Sequence, residues 1–217
     1  SDQKFIFKLL NKNTAYLRIP SFSGSLSKTI LDLYAKADHI IRKTPNIIID
    51  VRNNSGGSDS NVTPLLKYIY TNPIKSDKVS MYVTEDNINN WENIKTQMMS
   101  NTDNYSKETV AQVSSLIEKM KETTPKSFLK VSDGESLIND KVLKYPGKVS
   151  IIQNRHCASS CETLLFWAKQ SAKSTLLGEN SGGFVGYGEV KAAVFNHGGE
   201  DLHAYKFIGD TIRKIPE

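Results

Sequence analysis

The segment Asn46-Ile-Ile-Ile-Asp-Val51 constrains the fold more than any other part of the sequence. Its apolar residues follow one another without the alternation of a half-exposed strand. Both faces must therefore be covered, as they are in an interior strand of a parallel sheet. Thr44-Pro45 ends whatever precedes it, and Arg52-Asn-Asn-Ser-Gly-Gly-Ser58 follows, rich in residues that tolerate positive φ.

The flanking sequence supplies the partners of such a strand. Lys4–Leu10 and Thr14–Ile19 read as strands around an Asn11-Lys-Asn13 turn. Ser25 or Ser27 caps a helix to about Arg42, with Ile30, Leu33, Tyr34, Ala37, Ile40 and Ile41 at helical spacing. A short helix around Thr63–Tyr70 and a strand at Val79–Thr84 extend the alternation of strand and helix, which predicts a parallel α/β sheet. Lys148-Val-Ser-Ile-Ile-Gln153 is a second buried strand. It enters a turn at Arg155–Ser160 and a helix running through Ala172 with Leu164, Leu165, Trp167 and Ala168 as its packing face. Thr175–Gly178 is a short strand and Glu179–Gly188 a glycine-rich loop. Val190–Phe195 and Leu202–Phe207 are expected to close a hairpin around Asn196-His-Gly-Gly199. Between Asp86 and Lys144 the character changes. Asn87–Met99 and Ser106–Glu122 are polar amphipathic helices, so this stretch is expected to be an insertion or lid on a single domain.

Composition narrows the function. With 38% hydrophobic and 24% charged residues, the 217-residue chain can bury a sizeable core. No apolar run reaches the roughly 20 residues a spanning helix needs. The net charge of +5 comes from scattered lysines such as Lys36, Lys67 and Lys126, without a dense basic run or interleaved aromatics, so a nucleic-acid partner is not expected. The two cysteines, Cys157 and Cys161, match no metal half-site or disulfide scaffold. They read as small side chains packing a tight turn, with a local bridge as the alternative. No cofactor or metal is expected.

Two segments carry the chemistry. Glycines after a core strand, as in Asp50-Val-Arg-Asn-Asn-Ser-Gly-Gly57, let backbone N–H groups point into an open site, which an oxyanion hole requires. In Cys157-Ala-Ser-Ser-Cys-Glu162 a serine sits where a strand turns into a helix N-terminus, a position that favours developing negative charge. The plainer alternative is a helix cap with Glu162 in the first turn.

Together with Tyr16-Leu-Arg-Ile-Pro-Ser-Phe22 and Leu177-Gly-Glu-Asn-Ser-Gly182, these segments occur in an order that resembles the C-terminal processing peptidases, also called tail-specific proteases. That family carries a "Y-I-R-I-x-x-F" strand, an "I-I-D-L-R-x-N-x-G-G" strand and loop, an "S-A-S-x-x-E" turn and a "G-x-x-T-x-G" loop. The resemblance implies a fold like that of Clp protease and crotonase, built from strand-strand-helix units, and a serine peptidase acting on protein or peptide substrates. With Glu162 as anchor it implies Ser159 as nucleophile. Ser160 N–H and a glycine of Gly56-Gly57 are implied as oxyanion donors. A periplasmic, cell-surface or secreted location is the corresponding expectation.

The chain departs from the family at one point. The position expected to hold the general-base lysine is Phe184, and no lysine occurs between Lys173 and Lys191. Another branch uses a histidine and an acidic residue. Among His39, His156, His197 and His203, the nearest to the turn is His156, and Asp210 is the loose match for the acid. The chain is expected to be the protease core alone, with the PDZ-like module that usually accompanies it held elsewhere. The absent lysine makes a non-catalytic binding domain on the same fold the second reading. Acyl-CoA chemistry of the crotonase kind, which needs no serine at this turn, is the last.

Overall fold

The structure is a computed structural model describing residues 4–100, 107–188, 191–197, 200–206 and 211–214. In chain order the elements begin with β1 (Ile6–Asn11), β2 (Thr14–Arg18), α1 (Ser27–Ile41), β3 (Asn46–Asp50), α2 (Leu66–Ile69), β4 (Ile74–Lys75) and β5 (Lys78–Tyr82). They continue with α3 (Glu85–Ser100), α4 (Lys107–Glu122), β6 (Phe128–Asp133), β7 (Ser136–Leu137), β8 (Lys148–Gln153), α5 (Ser160–Lys169) and β9 (Ser174–Gly178). The last four are β10 (Tyr187–Gly188), β11 (Lys191–His197), β12 (Glu200–Lys206) and β13 (Thr211–Lys214).

The chain divides into two compact units, one of residues 1–76 with 135–185 and the other of 77–134 with 186–217. The expected insertion, 86–144, is thus shared between them: 86–134 falls in the second unit and 135–144 in the first.

The first unit is built on a five-stranded sheet in the order β1-β2-β3-β8-β9. β1 and β2 form an antiparallel hairpin, and β2, β3, β8 and β9 run parallel. Parallel neighbours cannot be joined by a tight turn. Accordingly α1 links β2 to β3 and α5 links β8 to β9. Register places Ala15, Ile47 and Val149 in one row and Leu17, Ile49 and Ile151 in another, all buried on one face. Ile30, Tyr34, Ala37 and Ile41 of α1 and Leu164, Leu165, Trp167 and Ala168 of α5 join the same core. The α/β class and the buried strand at 46–51 are as the sequence predicts.

One strand goes elsewhere. The segment expected at Val79–Thr84 is β5, and it does not extend the parallel sheet. It pairs antiparallel with β6 and β13 in a four-stranded sheet ordered β10-β13-β5-β6, within the second unit. The physical cue is its burial: Lys78 is exposed and Met81 buried, the pattern of a strand covered on one face only. Its core is small, with Met81, Val83 and Met120 packed against Ile88, Trp91, Leu116 and Leu129. β11 and β12 pair antiparallel as expected, with Val194 opposite His203 and His197 opposite Glu200, and the expected turn at 198–199 lies outside the described residues. Among the described residues no helix is long and apolar enough to cross a membrane.

Candidate active site

Parallel adjacency brings the site together. β3 and β8 are neighbours running the same way, so the loops leaving their carboxyl ends, 51–58 and 154–159, lie side by side. Val51 N–H donates to the Ile152 carbonyl at 2.9 Å and Ala158 N–H to the Asn54 carbonyl at 3.2 Å. A side-chain lock joins the same loops. Asn53 N–H donates to Asn154 Oδ1 at 2.9 Å, and Asn154 Nδ2 donates to Asn53 Oδ1 at 2.8 Å. Asn53 has φ 62°, which an asparagine tolerates better than most residues.

The segment after β2 pins the glycine loop from the other side. Phe22 N–H donates to the Gly56 carbonyl at 3.0 Å, and Ser58 N–H to the Phe22 carbonyl at 2.8 Å. The fit is tight: a Cβ on Gly57, at φ 142°, would lie 2.1 Å from the Phe22 carbonyl oxygen. The buried Asn54 holds the loop's shape, donating from Nδ2 to the Ile19 carbonyl and accepting the Gly56 N–H at Oδ1, 2.9 Å.

Below the loop Asp50 is fully buried. It accepts from Arg18 at 2.8 Å, Arg52 at 2.6 Å and the Tyr16 hydroxyl at 2.8 Å. Burial alone would raise its pKa. The hydrogen bonds from Arg52 and Tyr16 and the Arg18 charge outweigh that and hold the carboxyl at about 2. Burial, with the hydrogen bond to Asp50, raises Tyr16 in turn.

Ser159 stands immediately before α5, half-buried, with φ 53° and ψ −123°. Few L residues adopt this conformation, and where they do the surroundings enforce it. It faces the glycine loop directly. A Cβ built on Gly56 would come 2.5 Å from the Ala158 carbonyl oxygen, 2.8 Å from Ser159 Cβ and 3.0 Å from Ser160 N. Only glycine at position 56, with φ 96°, leaves that approach open. Ser160 is buried and its hydroxyl donates to the Gly57 carbonyl at 3.0 Å. The Gly56 N–H is committed to Asn54. The N–H groups of Gly57 and Ser160, by contrast, have no protein acceptor among the described residues.

Glu162 accounts for the turn's stability. Its buried carboxylate accepts Ser159 N–H at 2.9 Å, Gly183 N–H at 2.7 Å and Phe184 N–H at 2.8 Å, forming a capping box with Ser159. It thereby ties the serine turn to the loop after β9, which also donates Gly182 N–H to the Cys157 carbonyl at 2.8 Å. All four segments that carry the family resemblance meet here.

Cys157 and Cys161 form a disulfide, with Cα atoms 5.4 Å apart, so they are not the two separate side chains of the plainer sequence reading. The turn into α5 brings the Cα atoms within bridging range. The sequence reading also passed over Asn154 and the anchoring of residues 183 and 184 by Glu162. The serine three residues before a glutamate at a helix start was the available signal for the latter.

Among the described residues no histidine, lysine or carboxylate side chain hydrogen-bonds Ser159 Oγ. His156 is exposed on the same turn, with its backbone N–H on Asn154 Oδ1. His39 is exposed on α1, His197 and His203 lie in β11 and β12 of the second unit, and Asp210 lies outside the described residues. Phe184 is 47% exposed. Among the described residues no cluster of three or more histidine, cysteine, aspartate or glutamate side chains is arranged to hold a metal ion.

The parallel α/β core thus carries a serine at positive φ at the carboxyl end of its sheet. The family model that matches, over residues 13–200, is that of peptidase family S41, and the chain belongs to this family. Its fold is similar to that of mature CPAF, with TM-score 0.58 and 17% identity over 88% of this chain and 41% of that one. Mature CPAF complexed with lactacystin gives TM-score 0.60 and 14% identity over 98% and 49%. The photosystem II D1 C-terminal processing protease gives 0.46 and 14% over 94% and 38%. The chain spans less than half the length of each of these structures. No curated protein matches the sequence.

Proposed function

We propose that this chain is the catalytic core of a serine peptidase in which Ser159 Oγ attacks the carbonyl carbon of a peptide bond. The observation that carries this reading is the approach of Ser159, at positive φ, to Gly56. As the C–O bond forms, negative charge develops on the carbonyl oxygen, and the N–H groups of Gly57 and Ser160 are the donors that receive it. The Ser160 N–H also opens α5, whose N-terminus favours that charge. The C–N bond then breaks, the amine leaves with a proton, and water hydrolyses the acyl-serine ester. A serine hydroxyl needs a base to take its proton. His156, exposed on the same turn, is the in-chain candidate. The substrate is a protein or peptide.

The buried disulfide supports a site of action outside a reducing cytosol, at the cell surface, in the periplasm or in the medium. A second reading, a catalytically incomplete homologue that binds peptides, is favoured by Phe184 at the position of the family's lysine. The two separate by labelling the full-length protein with a fluorophosphonate and mapping the adduct by mass spectrometry. An adduct on Ser159, lost in Ser159→Ala, supports the peptidase. Absence of any adduct, with measurable peptide binding, supports the binding domain. Lactacystin, bound in one CPAF structure, is a second probe.

A further inference from the structure

We propose that the Cys157–Cys161 disulfide positions Ser159, fixing the turn in the conformation that presents the hydroxyl to the Gly56–Gly57 loop. The inference rests on the peptidase reading above. The bridge brackets the serine, joining cysteines four residues apart with Ser159 midway between them. Ser159 holds φ 53°, which a free turn would relax. Both ends of the bridge are themselves anchored. The Cys157 carbonyl accepts Gly182 N–H and its N–H donates to Asn154, while Cys161 sits in the first turn of α5 and donates its N–H to the Ala158 carbonyl at 3.0 Å.

A cross-link closing so short a loop removes less entropy from the unfolded chain than a long-range one, about 2 kcal/mol, and its constraint on the folded state is local. Local means the serine, because Ala158, Ser159 and Ser160 are the residues enclosed. Both cysteines are fully buried in the core, so a reductant reaches the sulfurs only when the turn opens. The bridge therefore acts as a lasting staple. The two cysteines are positioning residues and touch no substrate.

The test compares Ser159 labelling by a fluorophosphonate in three forms of the full-length protein. These are the oxidised wild type, the Cys157→Ala/Cys161→Ala double variant, and wild type reduced by dithiothreitol in mild urea and returned to buffer. In the reduction one S–S bond becomes two S–H groups while the dithiol closes to its own disulfide. The maximal labelling rate is expected to fall about tenfold or more without the bridge, as ångström-scale misplacement does at a reacting centre. The half-saturating concentration should stay within about twofold, since the surrounding loops are unchanged. Reoxidation should restore the reduced wild type and leave the double variant unchanged. Where the double variant fails to melt cooperatively, the reduced and reoxidised wild type decides. Equal labelling rates with and without the bridge, or free thiols at both positions in native protein, overturn the inference alone. Absence of labelling at Ser159 in oxidised wild type overturns the peptidase reading and this inference with it.

Discussion

The Glu162 carboxylate accepts the backbone N–H groups of Ser159 and Phe184 at one oxygen, 2.9 and 2.8 Å, and that of Gly183 at the other, 2.7 Å. One buried side chain thus fixes the backbone of the candidate nucleophile and the loop that follows β9. A neutral amide cannot replace it, because Gln carries one acceptor oxygen and would present an NH2 group to an N–H. Glu162→Gln should cost about 2 kcal/mol of stability and lower the rate of Ser159 labelling about tenfold or more. Denaturant melts and labelling kinetics check the two effects together.

Gly56→Ala should be worse than a generic core substitution. The added Cβ meets the Ala158 carbonyl oxygen at 2.5 Å and Ser159 Cβ at 2.8 Å, at a φ of 96° that alanine rarely adopts. Backbone on one side and the nucleophile on the other leave no soft neighbour to move. We expect a loss of about 3 kcal/mol and no Ser159 labelling. A melting temperature within a degree of wild type would contradict this geometry.

The backbone of Ser159 yields a prediction of opposite sign. Its φ of 53° with ψ −123° suits glycine, so Ser159→Gly should relieve strain of about 1–3 kcal/mol, partly offset by the freer unfolded chain. The expected net gain is about 1 kcal/mol, accompanied by complete loss of labelling. Ser159→Ala should abolish labelling without that gain. Chemical denaturation of the two variants side by side distinguishes them. A Ser159→Gly variant no more stable than Ser159→Ala would mean that the turn is not strained.

Acid should unfold the protein in a defined window. The folded pKa of Asp50, about 2, lies below its ordinary 3.8, so the group adds stability above about pH 4 that is lost as pH falls toward 2. The shift corresponds to roughly 2 kcal/mol. Asp38, also held at about 2 despite its burial cost by Lys67, Tyr68 and Arg42, adds less because it is partly exposed. Asp50→Asn should be less stable at pH 7 by about 3 kcal/mol, because its charged partners lose a buried counter-ion. Its own stability should change less between pH 4 and pH 2. Thermal melts across that range give both slopes.

Removing Asn154 tests the link between the two loops. Asn154→Ala leaves Asn53, at φ 62°, without the acceptor for its N–H and without its side-chain donor. The expected cost is about 1–2 kcal/mol. Slower labelling of Ser159 with the fold intact would show that the lock also registers the glycine loop against the serine turn.

Local patterns in the sequence were enough for much of this structure. The consecutive apolar residues Ile47-Ile-Ile49, with Val51, determine a buried strand wherever they lie. Glycines at 56 and 57 after that strand determine a loop without side chains, and a serine three residues before a glutamate at a helix start determines a capped turn. These signals depend on neighbours within a few residues, but the choice of Ser159 and Gly56-Gly57 came from the order of four such segments, which resembles that of the C-terminal processing peptidases. What only the tertiary structure decided depends on contacts between distant segments. The adjacency of β3 and β8 sets Asn53 against Asn154 across 101 positions. The turn into α5 brings Cys157 and Cys161 within bridging range. Glu162 reaches forward to Gly183 and Phe184. The departure of β5 into a second sheet, despite a plausible place in the first, was decided the same way. A strand's partner follows from which faces are already covered, and no local window of sequence contains that information.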